Sequence, residues 1–167
     1  RDYDVTGVQT CALPIFWQLD GEKKKTFNAH QTWVSSLAFH PKAKRLFTAD
    51  YLGVIHCWNY ETGGGPVWTI PNADRDNVRA LVVTPDGRYL ISAGDDAVIK
   101  VWNTANGKPV AKLEGHRECI FSLAISPDGQ HLVSGDLFGS LRQWIIAGLQ
   151  LDRNTAGTLL HTRLDNL

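Results

Sequence analysis

Tryptophan recurs along the chain at Trp17, Trp58, Trp102 and Trp144, at spacings of 41, 44 and 42 residues. A period of about 40 residues is too long for one hairpin and too short for a domain. It marks a unit that buries its apolar face only by stacking on a copy of itself. Other positions fall into the same register. Twenty-eight residues before the last three tryptophans stand His30, Asp74 and His116. Four, seven, nine and eleven residues after these markers come Val34, Leu37, Phe39 and Pro41; then Val78, Leu81, Val83 and Pro85; then Ile120, Leu123, Ile125 and Pro127. Eighteen after them come Thr48, Ser92 and Ser134.

Between these anchors the chemistry is that of short strands joined by tight turns. Pro85-Asp86-Gly87 and Pro127-Asp128-Gly129 combine the fixed φ of proline with the positive φ open to glycine. Runs rich in β-branched and large apolar residues flank them, at 88–93, 98–103 and 130–135. Outer strands are expected near 66–70 and 108–113, after the turns at 59–63 and 103–107. No segment keeps a helical period, so the expected fold class is all-β.

Gly115-His116, Ser126-Pro127-Asp128-Gly129 and Ile99-Lys100-Val101-Trp102-Asn103 resemble the signature of the WD-repeat family, and the resemblance covers residues 16–145. It implies a partial β-propeller of four-stranded antiparallel blades. About three full blades are expected, at about 30–70, 74–113 and 116–164, after a remnant at 16–28. It also implies a hydrogen-bonded tetrad of His, Ser or Thr, Asp and Trp in each blade, since a buried indole N–H and hydroxyl need partners. The matching residues are His30, Thr48 and Trp58; Ser92, Asp96 and Trp102; and His116, Ser134 and Trp144. Each set reads as incomplete. Leu52 and Phe138 stand where the acid is expected, and Asp74 replaces a histidine. Asn59, Asn103 and Ile145 replace the family's usual Asp after Trp. For the outer strand of the last blade, 158–164 is preferred over 149–151.

Residues 1–15, RDYDVTGVQTCALPI, fit none of the repeats and resemble a translated sequencing-library adapter. With an artificial start and too few blades to close a ring, a fragment of a larger propeller, 16–167, is expected, lacking other blades of the same chain. Setting aside Arg1, Asp2 and Asp4 leaves 16 basic and 15 acidic side chains. That balance gives no electrostatic footprint for nucleic acid or an anionic membrane, and no apolar run approaches the roughly 18 residues of a span. Cys57 and Cys119 stand apart and read as reduced thiols; nothing fixes a compartment beyond the cytoplasm as default.

Catalytic and cofactor chemistry find no carrier. The histidines share no metal-ligand spacing, and no cofactor is expected. Asp95-Asp96 reads as turn and tetrad chemistry rather than an acid–base pair, and Ser92 and Ser134 lie inside strands rather than on a nucleophile elbow. Lys23-Lys24-Lys25 reads as a solvated outer strand, and Gly63-Gly64-Gly65 as a loose turn. The expected function is a non-catalytic protein–protein interaction scaffold, its partners proteins or peptides. The alternative is a binding propeller fused to an enzyme, of kinase or cytochrome type, in a longer polypeptide. In repeat phase, Trp33 with Tyr51, Asn77 and Arg79 with Asp95, and Cys119 and Phe121 with Leu137 fall on one rim. A partner surface is expected there, centred on Trp33, Tyr51, Arg79 and Phe121, because aromatic and arginine side chains dominate interface hot spots.

Overall fold

Segments such as Leu90-Ile91-Ser92-Ala93 alternate between two buried destinations, and in the computed structural model they are strands packed on both faces. The structure describes residues 15–17 and 23–147, which form an all-β arrangement of antiparallel sheets. The strands are β1 (Ile15–Trp17), β2 (Lys23–Thr26), β3 (Val34–Phe39), β4 (Arg45–Asp50), β5 (Ile55–Asn59), β6 (Trp68–Ile70) and β7 (Val78–Val83). They continue with β8 (Tyr89–Gly94), β9 (Ile99–Asn103), β10 (Pro109–Leu113), β11 (Ile120–Ile125), β12 (His131–Asp136) and β13 (Leu141–Ile145). Strands β1 and β2 pair; β3–β6 and β7–β10 form four-stranded sheets, each in sequence order; β11–β13 form a three-stranded sheet. Residues 1–14 of the adapter-like segment and the expected outer strands at 149–151 or 158–164 lie outside the described residues.

The first strands of the three large sheets, β3, β7 and β11, lie side by side, so the sheets fan out from a common inner edge. Each sheet has two apolar faces. Phe47, Ala49, Ile55 and Cys57 of the first sheet meet Leu81, Leu90 and Trp102 of the second. The second sheet's other face, with Ile91, Ile99 and Val101, meets Ile120, Leu132 and Trp144 of the third. A third cluster of Phe27, Leu46 and Trp58 covers the upstream face of the first sheet. This is propeller packing, in which sheets stack face to face and inner strands never become free edges.

The Pro-Asp-Gly turns close β7 onto β8 and β11 onto β12, with Gly87 and Gly129 at φ of 81° and 70°. Asp86 caps its turn by accepting the Thr84 hydroxyl and the Arg88 N–H, at 2.6 and 2.9 Å. In the first sheet, where the turn reads Pro41-Lys42-Ala43, His40 takes that role: its Nδ1 accepts the N–H groups of Lys42 and Ala43 at 3.0 and 2.8 Å.

Apolar side chains are exposed at both ends of the arc. Leu141 on the third sheet is 76% exposed, while Ile99, at the same register in the middle sheet, is 0% exposed. Val133, Ile145, Leu137 and Phe138 share that outward face or the turn beside it. At the upstream end Leu37 and Phe39 are more than half exposed, where the counterparts of Leu37 (Leu81, Leu123) and of Phe39 (Val83, Ile125) pack against a neighbouring sheet.

Candidate partner-binding rim

In the first and third sheets one line of hydrogen bonds crosses the sheet. The Trp58 indole donates to Thr48 Oγ1 at 2.8 Å, Thr48 Oγ1 lies 2.6 Å from His30 Nε2, and His30 Nδ1 lies 2.7 Å from Asp50 Oδ2. In the third sheet Trp144 donates to Ser134 Oγ at 2.8 Å, and His116 bridges Ser134 and Asp136 at 2.6 and 2.8 Å. The indole can only donate and the carboxylate can only accept, so the hydroxyl donates to Nε2 and Nδ1–H donates to the aspartate. Burial works against the Asp50 charge, but the hydrogen bonds from His30 and the amides of Val54 and Leu52 hold its carboxyl below the usual carboxylate range. The hydrogen bond from His116 does the same for Asp136.

These acids are not where the sequence reading put them. Leu52 and Phe138 hold the expected positions, yet the carboxylates come from two residues earlier, at the ends of β4 and β12, and accept the backbone N–H of Leu52 and Phe138 at 2.9 and 3.2 Å. Both networks are therefore complete. Asp50 and Asp136 each stand 20 residues after their histidine, and this shared offset was the signal available in the sequence. The offset that the family resemblance implies falls on Asp96 in the middle repeat. Asp96 instead caps its own turn through the Val98 N–H at 3.1 Å and pairs with Lys100. The Trp102 indole still donates to Ser92 Oγ, at 2.8 Å.

The rim is built from three repeated positions. A β-bulge interrupts the top of every inner strand, at Val34/Ser36, Val78/Ala80 and Ile120/Ser122, leaving Ser35, Arg79 and Phe121 as the extra residues. A bulge re-aims a side chain out of the regular alternation. Below each bulge the same bond recurs: the N–H of Tyr51, Asp95 and Leu137 donates to the carbonyl of Trp33, Asn77 and Cys119, at 3.2, 3.1 and 2.9 Å.

Trp33 and Tyr51 pack edge to face with ring centroids 5.7 Å apart, and they stay 56% and 44% exposed. Arg79 reaches across the gap between the second and third sheets, its guanidinium 4.2 Å above the Phe121 ring. Two of its nitrogens pair with the Asp95 carboxylate, which raises the guanidinium pKa further, and Tyr51 lies near enough to act on it electrostatically. All four candidate side chains thus come from three sheets to one end of the arc, and Arg79 is neutralised there. Cys119 also lies on this rim, its thiol 3.7 Å from the Asp95 carbonyl. Asn77, read as a rim residue, is 3% exposed and out of a partner's reach.

At the opposite end, between the two Pro-Asp-Gly turns, a cavity of about 330 Å³ is lined by Asp86, Arg88, Tyr89, Asp128 and Ile146. Among the described residues no three His, Cys, Asp or Glu side chains converge as metal ligands, and no helix is long and apolar enough to cross a membrane.

Face-to-face antiparallel sheets around adjoining inner strands, each tied across by its tryptophan, define a β-propeller built from repeats. The chain belongs to the WD40 family: the WD domain, G-beta repeat matches residues 21–59, 64–103 and 107–145. Each match begins at the outer strand of one sheet and ends on the third strand of the next, so 64–103 takes in β6 but not β10. The chain is 32% identical to the cilia- and flagella-associated protein 52 of Chlamydomonas reinhardtii over 93 residues, 56% of this chain and 15% of that protein. It is 30% identical to the probable coatomer subunit beta′ of Schizosaccharomyces pombe over 122 residues, 72% of this chain and 15% of that protein. It is 31% identical to the nuclear distribution protein nudF of Emericella nidulans over 103 residues, 59% of this chain and 23% of that protein. The chain therefore spans less than a quarter of the length of these relatives. WD40 repeats generally mediate protein–protein interaction.

Proposed function

We propose that this chain is one arc of a larger, non-catalytic scaffold propeller, and that it binds a protein or peptide through the rim of Trp33, Tyr51, Arg79 and Phe121. The observation that carries the reading is the exposed aromatic pair beside a guanidinium stacked on a third aromatic ring, assembled from three sheets. Exposed aromatic clusters with a pre-positioned arginine are what interface hot spots are made of. They need little ordering on binding, because Arg79 is already fixed by Asp95 and Phe121.

Alanine at all four positions in the full-length protein should abolish capture of its binding partner. A matched variant on the opposite end, with Arg88 and Gln130 changed to alanine, should leave capture intact. Undiminished capture by the folded rim variant would sink the proposal. The alternative, a binding propeller fused to a kinase or cytochrome-type enzyme, keeps the rim's role and is distinguished by the complete open reading frame.

A further inference from the structure

A basic side chain stands two residues before the tryptophan of each large sheet: His56, Lys100 and Arg142. In the first two sheets it has a partner. His56 Nδ1 lies 2.8 Å from the hydroxyl of Thr69, its register partner on β6. Lys100 donates to the carbonyl of Ala73 and to the carboxylate of Asp96 on the β8–β9 turn. That acid is the middle sheet's own arrangement, for β8 ends on Gly94 where β4 and β12 end on Asp50 and Asp136. In the third sheet Phe138 holds the turn position of Asp96, and Asp136 is already taken by His116 and by the N–H groups of Phe138 and Ser140. Arg142 is left over. Its Nε is buried with no hydrogen-bond partner, and among the described residues its guanidinium enters no ion pair.

A buried guanidinium N–H without an acceptor is costly, and the cost is recovered when an anion reaches the group. Gly115, in repeat phase with Ala73, lies against one side of it: a Cβ there would stand 3.6 Å from Nη1 and 3.2 Å from the Trp144 ring. The remaining edge, Nε with Nη2, is the one through which Arg79 holds the Asp95 carboxylate. On the adjoining turn Leu137 and Phe138 are exposed. We propose that Arg142 anchors an acidic-peptide site, taking the carboxylate of a partner's aspartate or glutamate side chain where the middle sheet has Asp96, with Leu137 and Phe138 against that residue's apolar neighbours. One guanidinium balances one negative charge, which matches a carboxylate and not a phosphate dianion. Because Nε is closed to water, the guanidinium swings outward to meet the ligand, and the unpaired N–H is relieved. The site does not depend on the rim at Trp33, Tyr51, Arg79 and Phe121.

The test is an NMR titration of the full chain that follows the Arg142 Nε–H and the Trp144 indole, with acetyl-Leu-Glu-Leu-amide, its Gln counterpart and inorganic phosphate as probes. The Glu peptide should shift both signals saturably. The Gln peptide should bind at least about tenfold more weakly, and phosphate should leave both signals in place at the same concentration. Arg142→Gln should abolish the indole response, while Arg142→Lys, the residue type of the middle sheet, should keep it. No response to the Glu peptide, equal affinity for the Glu and Gln peptides, or tighter binding of phosphate overturns the assignment, and all three readings come from the unaltered chain. An indole response that survives Arg142→Gln overturns it as well.

Discussion

One hydroxyl, on Thr48, holds together three elements of the first sheet: it accepts the Trp58 indole and meets His30, which in turn meets Asp50. Thr48→Val keeps the shape and removes the oxygen, leaving a buried indole N–H and an imidazole nitrogen unpaired. It should cost about 2 kcal/mol in urea denaturation, with the m-value unchanged. A second residue works the other way. Ala97 has φ of 62°, a conformation that Gly53 and Gly139 supply at the equivalent turns. Ala97→Gly should stabilise the chain by about 0.5 to 1 kcal/mol, the left-handed penalty less the entropy that glycine loses on folding.

Two buried groups give opposite pH slopes. Burial lowers His56 from 6.5 to about 4, so its contribution is present above 6.5 and lost as pH falls toward 4. Asp74 rises from 3.8 to about 6, so its contribution is present below 3.8 and lost as pH rises through 6. Urea midpoints of the unaltered chain should therefore change little across this window. They should rise with pH in Asp74→Asn and fall with pH in His56→Gln.

At the scale of the strand, the sequence was legible where chemistry repeats. The turns at Pro85-Asp86-Gly87 and Pro127-Asp128-Gly129 and the apolar phase after each marker located β7, β8, β11 and β12 to within a residue or so. The bulges were not legible, because Ser35, Arg79 and Phe121 share no side-chain type; what they share is a backbone position that only the pairing reveals. The acids were misplaced for a related reason. The family resemblance sets the expected offset, which in the middle sheet falls on Asp96, a residue of a different network. Gly94 records the exchange in the backbone. Gly94→Ala must drive the end of β8 away from Asn77, and a loss of about 3 kcal/mol is expected from overpacking against main chain, read from the shift in denaturation midpoint.

Across the whole molecule, the exposed apolar face of the third sheet dominates solution behaviour. Sheets within the arc bury both faces, but Val133, Leu141 and Ile145 on the downstream face of the third sheet are exposed among the described residues. Such patches drive association. Leu141→Lys combined with Ile145→Lys should raise the monomer fraction in sedimentation velocity, while a matched lysine pair at Glu61 and Asn106 should not. A sharp, cooperative, monomeric melt of the unaltered chain would contradict this expectation.

The stagger between repeat and sheet has a consequence for how such a chain can change length. Each repeat lends its opening strand to the sheet before it and receives its own fourth strand from the repeat after it, as β6 and β10 do. A copy spliced in or deleted at a repeat boundary therefore leaves every junction sheet with a full complement of strands. Unequal recombination between neighbouring repeats can then alter blade number in single steps, and the selective burden falls on closing the ring rather than on repairing any one blade.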